Sequence, residues 1–272
     1  MTGQSSDDDT VTAGALFDEE TSKAVEAMYR TVDAERRRAI VLEAIALQSG
    51  ERVIDVGTGP GFLAVEIADV VGPNGSVLAV DIAPPMVQIA TRRCAERNWV
   101  SVKAGDASDL PTEDGSFDAA VSVQVHEYVP DVDTGLRELH RVLRPGGRAL
   151  VYSTDWPSIV WHSDDDERMQ RVMRAFATHC PHQTYARTLA PALRAAGFEI
   201  LDRRAVVQFN PVCNETTFSF HLIGLIQQFV TNMGLIPADE SAAWSANLSQ
   251  LADEDRYFFA ANQFFSVAQK PA

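Results

Sequence analysis

Short apolar runs alternate with amphipathic stretches through the middle of the chain. Val53–Val56, Ser76–Asp81, Val100–Ala104 and Phe117–Val123 are apolar runs of strand length. Helical patterns separate the first three, over Phe62–Val71 and from Pro84 to about Asn98, and a third follows over Val132–Leu143, where Leu136, Leu139 and Leu143 share one face. Runs that are apolar without alternation predict strands buried on both faces, and strands alternating with helices predict a parallel sheet covered on both sides. The turn Arg144 to Gly147 leads into a fifth strand, Arg148–Tyr152; helices over about 164–178 and 184–196 and a strand over Phe198–Phe209 follow. The pattern is thus that of a Rossmann-like, doubly wound α/β fold.

The ends of the chain read differently. Polar residues 1–12, including Asp7, Asp8 and Asp9, read as a disordered tail ahead of a single domain spanning 13–272. Within that domain, 13–33 is an N-terminal lid helix, with Phe17 and Tyr29 as aromatic candidates over a ligand mouth, and 34–209 is the core. Residues 210–255 form an insertion of two helices, about 215–232 and 238–251. The first is apolar around most of its surface, from Phe218 and Phe220 to Phe229 and Val230, so it needs cover on more than one side. It roofs a pocket or meets a second copy of the chain. Residues 256–272 hold the last strand.

Chemistry-bearing residues gather at the carboxyl ends of the predicted strands, where open α/β sheets bind ligands. Gly57, Gly59 and Gly61 end the first strand and open a helix, so backbone comes close to a ligand there. A dinucleotide turn would have a third glycine at position 62, which is Phe. Asp81 ends the second strand 20 residues after Gly61, where a carboxylate matches two vicinal ribose hydroxyls. Met86 at the next helix start suits contact with a flat ring. Asp106, after the third strand, suits an exocyclic amine, or an Asx turn.

A net charge of −15 argues against nucleic acid or an anionic membrane as partner, and favours a small molecule. Three scattered cysteines, Cys94, Cys180 and Cys213, read as buried thiols in a reducing cytoplasm. No run of 18 apolar residues predicts a membrane span, no signal peptide opens the chain, and the consecutive acids 164–167 point in different directions, so no metal site is expected.

Taken in order, the glycine motif 53–61, Val80-Asp81, Gly105-Asp106-Ala107, Phe117-Asp118 and the Arg141–Gly147 segment resemble those of the class I S-adenosylmethionine-dependent methyltransferases. The likeness covers about 35–208 plus the terminal strand, and within the class it is nearest to the ubiquinone/menaquinone-biosynthesis type of small-molecule enzyme. It implies a seven-stranded, mostly parallel sheet with an antiparallel last strand. Asp55, Gly57, Thr58, Gly59 and Gly61 would hold the methionine part of S-adenosylmethionine, with Val123 and Gln124 beside it. Asp81 and Ile82 would take the ribose, and Met86, Gly105, Asp106 and Ala107 the adenine.

For the acceptor the resemblance implies less. His126, Glu127 and Tyr128, after the fourth strand, are the candidate catalytic residues: His126 or Glu127 as a base, Tyr128 as a pocket wall. Tyr29, Trp156, Trp161 and Phe220 are candidate walls for an aromatic or apolar acceptor, with O- or C-methylation favoured. The alternatives are a nicotinamide-dependent oxidoreductase, against which Phe62 counts, and a silent cofactor-binding protein. The chain is expected to be a monomer or a homodimer.

Overall fold

Buried apolar strands need partners on both faces, and in this chain successive residues of each strand point into different layers. Ile54 and Val56 of β1 (Arg52–Val56) pack with Leu136, Leu139, Leu189 and Leu193. Val53 between them packs with Val41, Ile45, Ile67 and Val71. The first group comes from α5 (Val132–Val142) and α7 (Tyr185–Ala195), the second from α2 (Val32–Ile45) and α3 (Phe62–Val71). Helices therefore cover both faces of the sheet.

The computed structural model describes residues 18–272; the proposed tail and Phe17 lie outside the described residues. β1 pairs in parallel with β2 (Ser76–Asp81) and with β4 (Phe117–Val123), and β2 with β3 (Val100–Ala104). β5 (Leu143–Thr154) follows β4 in parallel, and β8 (Phe259–Gln269) lies antiparallel between β5 and β7 (Glu199–Asn210). The strand order β3-β2-β1-β4-β5-β8, with β7 outside β8, reverses direction of growth beside β1, so β1 and β4 open the cleft.

Among the described residues the sheet has eight strands, not the seven expected. The addition is β6 (Val160–Trp161), a two-residue strand whose Val160 and Trp161 pair with Ala260 and Phe259. β5 also begins earlier than its apolar run, because Leu143 pairs with Phe117 ahead of a register shift. α4 (Pro84–Cys94) stops four residues short of Asn98.

A second cluster sits over the carboxyl ends of the strands. α8 (Phe218–Asn232) and α9 (Ala238–Asp253) supply Phe218, Leu222, Ile226, Trp244 and Leu248, and α6 (Asp166–Phe176) supplies Met169, Val172 and Phe176. Met28 of α1 (Glu19–Met28) joins them. Phe62 fixes α1 from the other side. Arg93 stands 3.5 Å from the centre of its ring, with Arg38 at 5.0 Å and Arg30 at 5.5 Å. Glu26 of α1 pairs with Arg93 and Arg30, and Glu66 with Arg38, so each guanidinium over the ring has a carboxylate partner. The residue that breaks the dinucleotide pattern thus anchors the N-terminal helix.

Among the described residues no helix is long and apolar enough to cross a membrane.

Candidate functional site

Two spaces meet at the carboxyl ends of β1, β2 and β4. The first is a cleft of about 340 Å³ lined by Gly57, Gly59, Asp81, Ile82, Met86, Gly105, Asp106, Ala107, Val123, Gln124 and Tyr128, with Val25, Tyr29 and Val125 among the others. The second is a cavity of about 290 Å³ under α1, α6 and α8, with Met28, Trp156, Phe176, His179, Leu222 and Phe229 in its wall. Val25, Tyr29, Gln124 and Tyr128 line both. The structure therefore brings ten of the thirteen candidate cofactor residues together in one cleft.

The three glycines of the turn do different things. A Cβ on Gly57 would stand 2.1 Å from Val125 Cγ2, whereas one on Gly59 would meet nothing within 4 Å among the described residues. Gly59 therefore leaves room in the cleft. Gly61 lines neither space; its Cβ would lie 2.9 Å from Ala90 Cα, so its bareness lets α3 and α4 approach. Close packing of the two helices thus needs a glycine at this position. Asp81 Oδ2 accepts from Gly59 N at 2.8 Å and Oδ1 from Ala83 N at 2.9 Å, which ties the turn to the end of β2. Burial raises the Asp81 carboxyl above its ordinary value, against the pull of these backbone donors. Asp106 lines the cleft and also closes an Asx turn, accepting from Ser108 N and Oγ at 2.8 and 2.5 Å.

Asp55 and Thr58 sit one step away. They line a small pocket of about 20 Å³ with Arg37, and this pocket shares Tyr29, Gly57 and Val123 with the cleft. Asp55 accepts from Thr58 Oγ1 at 2.6 Å and is 2% exposed; burial pushes its carboxyl to about 7. A folded value above the ordinary 3.8 means that the native state holds a proton the unfolded chain has released. The stability it contributes is complete below about pH 4, falls as pH rises toward 7, and is constant above that. Asp55→Asn is expected to raise thermal stability at pH 8, by on the order of 2–4 kcal/mol, and to change it little at pH 4. Melting curves at the two pH values check this; a difference independent of pH would mean that Asp55 is ionised throughout.

Arg37 carries a signal that the sequence reading passed over. Its guanidinium is 2% exposed, donates from Nη1 to Gln124 Oε1 at 2.5 Å and lies 4.9 Å from the centre of the Tyr29 ring. Its Nε and Nη2 have no hydrogen-bond partner among the described residues. Gln124 is held in turn by Thr154 Oγ1 at 2.7 Å and has φ of 57°, a conformation rare for a side chain of its kind.

His126 and Glu127 line neither space. His126 is 1% exposed with Nδ1 3.0 Å from Ser122 Oγ, and burial lowers it to about 4. Glu127 is fully buried, accepts from Ser153 Oγ at 2.9 Å and is pushed to about 7 by burial. Residues 126–128 form a turn after β4, which buries both of these side chains away from the two spaces, and Tyr128 alone of the three lines them. Burial raises the Tyr128 phenol well above 10, so it stays neutral.

Of the four candidate acceptor walls, Tyr29 and Trp156 line the cavity. Trp161 does not: its Nε1 donates to Tyr257 Oη at 2.8 Å and its ring packs on Trp244 and Phe259 in the upper core. Phe220 faces outward, 45% exposed, because α8 turns its Leu222 and Ile226 side inward. His179, by contrast, lies in the cavity wall although no motif marked it.

Residues 54–151 match the family described as methyltransferase domain. An uncharacterized 37.1 kDa protein in transposon TN4556 of Streptomyces fradiae is 32% identical over 247 residues, 88% of this chain and 68% of that protein. Demethylmenaquinone methyltransferase of Staphylococcus aureus is 32% identical over 122 residues, 45% of this chain; the match spans about half (51%) of that relative's length. The crystal structure of the [4+2]-cyclase SpnF aligns with TM-score 0.58 at 27% identity, over 88% of this chain and 81% of that one. Phosphoethanolamine N-methyltransferase 2 of Haemonchus contortus, solved with phosphomonomethylethanolamine and S-adenosylhomocysteine, aligns with TM-score 0.62 at 19% identity, over 94% and 59%, and shares the fold. The chain belongs to the class I S-adenosylmethionine-dependent methyltransferases, whose domain uses S-adenosylmethionine.

Proposed function

We propose that the chain transfers a methyl group from S-adenosylmethionine to a small, aromatic or apolar acceptor, at oxygen or carbon. The observation that carries this reading is the pair of adjoining spaces, one lined by the motif residues, the other walled mainly by aromatic and aliphatic side chains, with four residues common to both. The residues fit the cofactor. Gly59 leaves the cleft open, Asp81 offers a carboxylate to the ribose, and Arg37 has two unpaired N–H groups for the amino-acid carboxylate. When bound, S-adenosylmethionine supplies a methyl carbon whose thioether leaving group needs no acid.

The chain's own residues then have to align the acceptor and exclude water. Tyr29 and Tyr128 form the shared wall, and α1 and α8 close the cavity over them, which makes α1 a lid and 210–255 a roof. His126 and Glu127, buried and off the cavity, act in this reading by holding the segment that carries Tyr128. The acidic chain and the mainly aromatic and aliphatic cavity suit a small acceptor rather than a nucleic acid.

Titration calorimetry with S-adenosylhomocysteine tests the cofactor reading, and labelled S-adenosylmethionine with a panel of aromatic alcohols and enols tests transfer. No heat at millimolar S-adenosylhomocysteine would sink the first. Binding without transfer to any flat apolar acceptor would favour a cofactor-binding protein of another activity; the likeness to a protein named as a [4+2]-cyclase supports keeping that second reading.

A further inference from the structure

The acceptor cavity runs along two antiparallel helices. Asp33, at the start of α2, accepts from Phe218 N at the start of α8 at 2.8 Å, and Val25 of α1 packs with Leu225 of α8. As α8 runs from Phe218 through Leu225 to Asn232, the residues opposite it therefore run from Asp33 through Val25 back to Asp18. Both helices line the space over their length, α1 from Met28 to its cap Asp18 and α8 from Phe218 to Asn232. Polarity changes along both in the same direction. Midway the walls are Val25 and Leu225; at the far end they are Asp18 and Thr21 on one side and Gln228 and Asn232 on the other, with Met233 among them. Asp18 and Asn232 are exposed, so this end is the mouth. Each lies seven residues from Val25 or Leu225, about 10 Å of helix. Val25 also lines the cofactor cleft, so the polar mouth stands about 10 Å from the place where the two spaces meet.

The four polar side chains have hydrogen-bonding capacity left over. Asp18 Oδ1 caps α1 by accepting from Thr21 N at 2.8 Å, which leaves Oδ2. Among the described residues Thr21 Oγ1 and the side-chain amides of Gln228 and Asn232 bond to nothing. A hydroxyl and two amides each donate and accept, and a carboxylate accepts. Asp18 is the only charged residue among those lining the cavity, and the positive end of the helix it caps offsets its charge.

We propose that the acceptor is elongated: an aromatic ring, methylated beside Tyr29 and Tyr128, joined to a polyhydroxylated, sugar-like ring that Asp18, Thr21, Gln228 and Asn232 hold at the mouth. The inference rests on the methyl-transfer reading above and gives it a substrate class. Neighbouring hydroxyls on a ring both donate and accept, which matches this mixed set of groups from two helices. A phosphate, sulfate or carboxylate in their place would face Asp18 with no lysine or arginine among the lining residues. A protonated amine would meet one carboxylate, already capping a helix, and would leave the donors of both amides unused. Transfer follows the reading above. The acceptor oxygen or carbon gains the methyl carbon and gives up its proton to water, and the electron pair of the cleaved carbon–sulfur bond stays on sulfur.

The test titrates hydroquinone derivatives that differ only in the second ring into protein saturated with S-adenosylhomocysteine. They are the glucoside and galactoside, the cyclohexyl ether without hydroxyls, the piperidin-4-yl ether with a protonated amine, and the glucuronide with a carboxylate. The wild type is expected to bind the better of the two glycosides at least fivefold tighter than the cyclohexyl ether, although the latter has more apolar surface to bury, and at least fivefold tighter than the glucuronide. Gln228→Met and Asn232→Leu should each weaken the glycoside roughly fivefold, the loss of about one hydrogen bond, and leave the cyclohexyl ether within twofold. Asp18→Asn keeps the cap, since asparagine caps as well as aspartate, and should narrow the gap between glucoside and glucuronide. A wild type that prefers the cyclohexyl or the piperidinyl ether to both glycosides, or a glycoside affinity that survives in both α8 variants, overturns the inference. Affinity for S-adenosylhomocysteine separates the causes. If the wild type does not bind it, the methyl-transfer reading itself fails; if wild type and variants bind it alike and the glycoside preference is absent, only the sugar-like end of the acceptor fails.

Discussion

Gly57→Ala is expected to weaken S-adenosylhomocysteine binding at least a hundredfold and to lower the melting temperature by roughly 5–15 °C. Two costs add. Gly57 has φ of +68°, which an alanine adopts at about 1 kcal/mol. Its methyl group would also stand 2.1 Å from Val125 Cγ2 and 3.0 Å from Cγ1, inside contact distance, and such overpacking costs about 1–3 kcal/mol. Val125 relieves the clash only by moving, and Val125 is itself part of the cleft wall. Stability and binding therefore fall together. The second substitution Val125→Ala should restore the steric part and leave the roughly 1 kcal/mol of backbone strain, so a double-mutant cycle shows strong coupling. If Gly57→Ala bound S-adenosylhomocysteine normally, the contact between the turn and Val125 would have no part in shaping the cleft.

The glycine turn shows what a sequence conveys and what it hides. Three glycines after an apolar run mark a strand, a turn and a helix, and with Asp81 and Asp106 they locate the cofactor cleft, because in a parallel sheet all strand ends face one way. Spacing cannot separate the glycine that faces ligand from the one that admits a neighbouring helix. Gly59 and Gly61 look alike in sequence and differ only through Ala90, 29 residues further along the chain from Gly61.

Acceptor residues were harder to read for the same reason. Trp156 and Trp161 lie five residues apart, yet a turn of 3-10 helix over Trp156–Ser158 directs the first to the cavity, and pairing of β6 with β8 draws the second into the upper core. His126 and Glu127 carry the right chemistry in the right segment, and only the course of the chain after β4 shows that Tyr128 is the side chain facing the cavities. His179 stands in no pattern at all. Arg37, by contrast, left a trace. Ala34, Val41 and Ile45 form the buried stripe of α2 at helical spacing, and Arg37 and Arg38 fall on it. An arginine on an apolar stripe marks a buried partner, and the run of three arginines over 36–38 disguised it as a charged surface.

Arg37→Met is expected to act with opposite signs on stability and binding. In the ligand-free protein a buried guanidinium with Nε and Nη2 unpaired is an incompletely compensated charge, and an apolar side chain of similar length should leave the melting temperature unchanged or raise it. The hydrogen bond to Gln124 and the contact with Tyr29 are lost, which limits the gain. Binding of S-adenosylhomocysteine should weaken by about 10- to 100-fold, because two charge-assisted hydrogen bonds to its carboxylate contribute roughly 1.4–3 kcal/mol. The ligand 5′-methylthioadenosine has the same adenosine and sulfur without the amino-acid carboxylate. The wild type should prefer S-adenosylhomocysteine to it at least tenfold, and Arg37→Met should bind the two alike. Arg37→Lys should not restore the preference, since a point charge cannot form the paired contact of a guanidinium. Equal weakening of both ligands would show that Arg37 merely shapes the pocket, and unchanged affinity for both would place the carboxylate elsewhere in the cleft. Only the loss of discrimination, at undiminished stability, assigns the two unpaired N–H groups to the amino-acid end of the methyl donor.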